Sequence, residues 1–189
     1  MGSTQARGLG LHGQAWQVLG WAGVGAIASL LVLTLARQQW AMTVSLAVFL
    51  AASWGIVGLL SRLPSFLRFL LVLVALLNGA GGTFDWFETH AWFDELVHTY
   101  GGFAGLAAIG YLHARDSEAK QDWLVAWCVG MGLALGIGWE VLEGLMGDLE
   151  FVDTLTDIIA DTVGAALGGA FARHALRAGQ AGPRPFLRA

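Results

Sequence analysis

Residues 41–60 read AMTVSLAVFLAASWGIVGLL, twenty positions without one charged side chain. At ~1.5 Å per residue a helix of that length covers about 30 Å, the hydrocarbon thickness of a bilayer. The run before it, WQVLGWAGVGAIASLLVLTLA at 16–36, is as long and stops at Arg37. The run after it begins beyond Ser61-Arg62-Leu63-Pro64, where proline argues for a break. Continued outward, the pattern gives six apolar segments: Trp16 to Ala36, Ala41 to Leu60, Ser65 to Gly82, Phe93 to His113, Asp122 to Met146 and Val152 to Leu176. None shows the ~10-residue alternation of barrel strands, and only helices or closed barrels satisfy their backbone in lipid. The expected fold is all-α, a polytopic membrane protein with about six transmembrane helices.

Composition agrees. Of 189 residues 56% are apolar, 13% are charged and 27 are glycine, whereas a soluble domain averages about 25% charge and ~7% glycine. A net charge of −4 leaves no basic footprint for nucleic acid. A single cysteine, Cys128, excludes an internal disulfide. The first segment is too long for a signal peptide and has no convincing cleavage site, so it reads as a retained helix. The chain divides into a tail at 1–15, a six-helix membrane domain at 16–176 and a tail at 177–189. Polar chemistry is concentrated at about 83–170.

Six spans put both termini on one side, with the loops after the second and fourth segments. Nine of the ten Lys and Arg residues fall there, and Arg37 alone falls opposite. By the positive-inside rule both termini are cytoplasmic. Ten of the fourteen acids lie in or near the other, outer half.

Three separate stretches bring acids to that outer level. Asp94 and His98 are spaced i, i+4 at the start of the fourth segment, so they share a helix face. Glu140 and Glu143 are i, i+3 at the end of the fifth. Asp153, Asp157 and Asp161 form one stripe at the start of the sixth. Gly101, Gly102 and Gly105 follow the first group, and Gly164 and Gly168 the last; such small residues let helices approach closely. A bland reading makes Asp153 an N-cap, Asp157 a dipole partner and the glutamates a helix end reaching water. Against it, carboxylates in a membrane are costly unless paired, and the outer half has almost no cation to pair with. Carboxylates with one imidazole are ligands for Mg²⁺, Mn²⁺, Ca²⁺ or Zn²⁺. The metal ligands expected are Asp94, His98, Glu140, Glu143, Asp153 and Asp157. Glu143 and His98 are the catalytic candidates, with Glu143 as general base on a bound water.

An Asp-x-x-x-His at a helix start, a later Glu before a short loop, then Asp-x-x-x-Asp and Gly-Ala-x-x-Gly resembles the VanZ-like membrane proteins. Trp139-Glu140-x-x-Glu143 followed by Asp153-Thr154-x-x-Asp157 is similar to the related YjdF-type proteins. The resemblance covers roughly residues 85–170. It implies a bacterial inner-membrane location and a shared polar site, and for VanZ itself an association with glycopeptide resistance.

Three functions follow. The first is a metal-dependent hydrolase or transferase acting on a lipid or envelope precursor. The second is a proton- or ion-coupled transporter or sensor, for which Asp161 would extend a polar path inward. The third is a non-catalytic subunit of a membrane complex. Expected partners are membrane lipids and, through glycine-rich faces, a second copy or other membrane proteins. The aromatic stretch Thr83 to Phe93 reads as interface anchors, or else as a lid over the acids with His90 as an extra ligand. His113 and His174 are expected to be solvated.

Overall fold

The computed structural model describes residues 3–146 and 151–180, with side chains from residue 13 onward except Glu143, Met146 and the last two. Eight helices are present and, among the described residues, no strand. They are α1 (Ser3–Ala36), α2 (Trp40–Leu59), α3 (Ser65–Thr83), α4 (Trp86–Thr89), α5 (Phe93–Ala114), α6 (Glu118–Asp122), α7 (Leu124–Met146) and α8 (Phe151–Gln180). Five are long and apolar enough to cross a membrane: α1 from Gly13, α2, α3, α7 as far as Leu142, and α8 as far as Ala178. The expected fourth span is α5. Its 22 residues are long enough, but Asp94, Glu95 and His98 stand in its first turns, and it is not among the five.

Helix extends into both expected tails. Residues 3–15 continue α1, and α8 runs on past Leu176 to Gln180, while 181–189 lie outside the described residues. Nothing in either stretch breaks the helix before those points; the first proline near the carboxy terminus is Pro183.

The connections are short, so neighbouring helices run antiparallel. Gln38 takes φ 59° in the three-residue turn between α1 and α2. Pro64 stands just before α3, where a missing N–H costs nothing, and its carbonyl accepts from the Arg68 N–H. The Arg68 side chain donates Nη1 to the Val57 carbonyl at 2.8 Å, satisfying one of the orphan carbonyls at the end of α2.

Helices α1, α2 and α3 pack together around Ile27, Leu46, Val57 and Val72. A second unit joins α5, α7 and α8 around Leu106, Leu124, Cys128, Ala165 and Ala172. Contact of α3 with α5 links the two, through Leu63, Leu67 and Leu70 on Ala104, Ala107 and Ala108. Tyr100 adds a hydrogen bond from its hydroxyl to the Leu70 carbonyl at 3.3 Å. Large apolar side chains point outward: Val32 is 66% exposed and Leu145 79%. In water such a surface would aggregate; in lipid it meets a solvent of its own polarity.

Lipid offers no hydrophobic drive for helices to associate, so close contact of small residues has to supply the attraction. The longest interface, α5 on α8, is built that way. A Cβ on Gly164 would strike the Thr99 carbonyl oxygen, and one on Gly168 would strike that of Phe103. A Cβ on Gly102 would fall 2.5 Å from the Asp161 carbonyl oxygen. The register, 99 beside 164 and 103 beside 168, runs the two helices parallel, as the expected fourth and sixth spans would. Helix α7 lies antiparallel on α8, with Gly132 over Ala165 and Gly169 against Cys128. Two glycines depart from expectation. A Cβ on Gly105 would meet nothing within 4 Å, and one on Gly101 only Val74 at 4.0 Å. They face an open space, described below, and not a helix.

Candidate metal centre

The parallel register of α5 and α8 brings the first turns of both to one level, and the last turns of α7 join them there. His98 is the centre of the arrangement. Its Nδ1 is 3.3 Å from Asp161 Oδ1, a hydrogen bond. Its Nε2 is 3.7 Å from Asp94 Oδ1 and 3.7 Å from Asp157 Oδ2, too far for hydrogen bonds. An ionised carboxylate only accepts, so Asp161 fixes a hydrogen on Nδ1. In the neutral ring the Nε2 lone pair is then presented to the side where Asp94 and Asp157 converge.

One atom each from Asp94, His98 and Asp157 lie within 4.8 Å of one another. Ligands bound at ~2.1 Å around a tetrahedral ion stand about 3.4 Å apart, so the three are near ligand spacing without touching. Asp157 is almost wholly buried, its side chain 3% exposed, and its second oxygen, Oδ1, has no hydrogen-bond partner. Glu140 is buried on α7. Glu140 and Asp153 both stand close enough to Asp94 and Asp157 to repel them. At an effective dielectric of 20, two carboxylates ~4 Å apart repel by about 4 kcal/mol. Among the described residues no Lys or Arg pairs with any of these acids; His98 is the ion-pair partner of Asp94, Asp157 and Asp161.

Three of the six expected ligands, Asp94, His98 and Asp157, are thus gathered tightly. Glu140 is beside them. Asp153 is nearer the surface, exposed in the first turn of α8. The Glu143 side chain lies outside the described residues, as do Asp148 and Glu150. Asp161, expected as a deeper polar step outside the ligand set, holds the imidazole. The i, i+4 spacing from Asp157 carried that signal, because His98 is large enough to span both turns.

Of residues 83–93, expected as anchors or a lid, Phe87 lines the cavity described below. The stretch folds into the single turn α4 behind Asp85, which has φ 58°. Phe87 and Phe93 pack edge to face, 5.1 Å between centroids, over Gly81. His90 is exposed and bonded to Thr89 Oγ1 at 2.8 Å, so it is not among the clustered ligands. His113, expected to be solvated, stacks on Trp127 with rings 4.2 Å apart and 2° from parallel.

A cavity of about 720 Å³ opens beside the cluster. Asp94, His98 and Asp161 form its polar end, and the rest is chiefly apolar and glycine.

No curated protein and no solved structure matches the chain significantly. A family described as "Predicted membrane protein (DUF2238)" matches residues 16–178, all six expected segments and the whole cluster. The match carries the membrane half of the resemblance drawn from the motifs and not the VanZ-like or YjdF-type name. Apolar helices with lipid-facing side chains and this match agree: the chain belongs to the DUF2238 family of predicted membrane proteins.

Proposed function

We propose that this is a six-span protein of a bacterial inner membrane that holds a divalent cation between Asp94, His98 and Asp157. Glu140 stands alongside and Asp161 orients the histidine. The observation that supports this most is the convergence of three donor atoms around a point with no hydrogen bond among them, beside a buried Asp157 oxygen that no partner satisfies. A carboxylate on the far nitrogen of a ligating histidine is a recurrent device, fixing tautomer and ring direction. The set, two or three carboxylates and one imidazole, suits Mn²⁺, Mg²⁺, Ca²⁺ or Zn²⁺.

A cation held by Asp94, His98 and Asp157 would supply Lewis acidity and would make a water on it more acidic than bulk water. The reaction class this favours is hydrolysis or group transfer on a lipid or envelope precursor. Glu143, a turn beyond Glu140 on α7, is kept as the base in this reading. The test is release of head group from phosphatidate or phosphatidylglycerol vesicles containing the protein. Turnover should need added Mn²⁺ or Mg²⁺ and stop with chelator. Asp161→Asn should weaken metal binding by about 10- to 100-fold without abolishing it; unchanged affinity would remove Asp161 from its role.

Proton-coupled transport draws on the same His98–Asp161 contact. It is the weaker reading, because residues 1–84 contain no acid and α8 has none beyond Asp161.

The proposed orientation has its own check. Cys128 is buried, so single cysteines can be labelled over a low background. Gln38→Cys and Thr89→Cys should react with an impermeant maleimide from outside intact cells, and Ser61→Cys and Ser117→Cys only after the membrane is opened. The reverse pattern would invert the topology.

A further inference from the structure

The cavity continues from the acidic cluster along α5, where the row 94, 98, 101, 105 and 109 runs its length with Val97, Gly102 and Leu106 beside it. From Asp94 to Ile109 that row is about 22 Å long, more than one leaflet of a ~30 Å hydrocarbon layer. Gly101 and Gly105 hollow its floor, since side chains at either position would occupy empty space. Phe49 on α2 and Val74 on α3 form one wall, and Leu135 on α7 the other. Among the described residues α2 makes no contact with α7 or α5, so the crevice opens sideways between the two three-helix units. At that opening Ile109 is 44% exposed and Leu135 53%. A crevice open in this direction admits what lies in the membrane.

We infer that this crevice binds one hydrocarbon chain of an anionic phospholipid, entering between α2 and α7 with its phosphate at the end that Asp94, His98 and Asp161 line. Length, lateral opening and apolar lining set the chain. The charge of the far end sets the head: bare acids would repel a phosphate, so the head is held through the cation, and this part rests on the reading given above. One chain takes the cavity of about 720 Å³, the second remaining in the bilayer.

The experiment uses full-length protein in phosphatidylcholine vesicles carrying phosphatidic acid with a diazirine near the middle of one acyl chain. After illumination, cross-linked residues are mapped by mass spectrometry and metal content is measured on the same samples. Cross-links should concentrate on the stretches around Gly101 to Ile109, Leu135 and Phe49. Gly105→Leu fills the crevice at a point where its Cβ meets nothing, so the fold and metal content should stay as in wild type. Those cross-links should then fall at least tenfold. Chelation should also reduce them by releasing the head. Cross-links spread evenly over outward residues such as Val32, Val44 and Leu145, or undiminished in Gly105→Leu, would overturn the crevice while leaving the metal site standing. Concentrated cross-links that Gly105→Leu removes, in protein that binds no metal, would keep the chain site and overturn the metal-held phosphate.

Discussion

Asp157→Asn should lose divalent-cation binding by at least ~100-fold while the protein becomes slightly more heat-stable. Removing a ligand costs more than the 10- to 100-fold typical of an outer partner, and Asp157 is the least exposed of the three donors. The sign of the stability change follows from the site's electrostatics without metal. Asp157 is buried beside Asp94, within repelling distance of Glu140 and Asp153, and one of its oxygens is unsatisfied. Asparagine keeps the volume and removes the charge, so the cost of burying a carboxylate and the repulsion both go, and together they outweigh the lost attraction to His98. Even ~1 kcal/mol recovered would raise the midpoint of a chain this size by about 2–4 °C. Function and stability would move in opposite directions, as they do where a site is held under strain. Mn²⁺ titration followed by electron paramagnetic resonance, with thermal unfolding in the presence of chelator, reads both. A variant that binds Mn²⁺ normally would remove Asp157 from the ligand set; one that loses metal because it unfolds would make the residue structural.

Gly164→Leu should be the most damaging substitution in the carboxy-terminal half. The new Cβ would strike the Thr99 carbonyl oxygen and come within 2.8 Å of the Phe103 amide nitrogen. Both are backbone atoms of a helix and cannot swing aside, so α5 and α8 must separate. Overpacking a core typically costs 1–3 kcal/mol, and here the displaced neighbour is a whole helix, so about 3 kcal/mol or more is expected. The separation would also pull His98 from Asp157 and Asp161, so metal affinity falls with stability. Gly130→Ala is the matched control. Its Cβ meets nothing within 4 Å, and alanine in a helix interior gains about 0.5–1 kcal/mol over glycine. Unfolding in mild detergent, followed by circular dichroism, should rank Gly130→Ala at or above wild type and Gly164→Leu well below. Equal stability of all three would mean that α5 and α8 are not packed as described.

The helices were readable because lipid imposes a simple rule: a spanning segment must be long, apolar and internally bonded. Residues 41–60 announce α2 within one residue at either end. The level of the acids was readable too, since alternating spans fix which helix ends share a side. Which glycines pack and which hollow a crevice was not. Gly102 and Gly101 are neighbours in sequence, yet only the first faces α8, and that depends on the rotation of α5, which spacing leaves open. The same rotation decides that Asp161 reaches His98 Nδ1 and that Asp157 approaches Nε2. The stacking of His113 on Trp127 depends on helix rotation as well; the ring is half-buried, with one face on α7.

The most direct test of the account is the metal content of the protein itself. Wild-type protein should be purified without chelator, incubated with Mn²⁺, Mg²⁺, Ca²⁺ and Zn²⁺ in turn, desalted and subjected to elemental analysis beside His98→Ala and Asp157→Asn. The account predicts close to one divalent ion per chain in wild type and well under a tenth of that in both variants, each folded. Wild type that retains none of the four ions, or variants that retain as much as wild type, would contradict it.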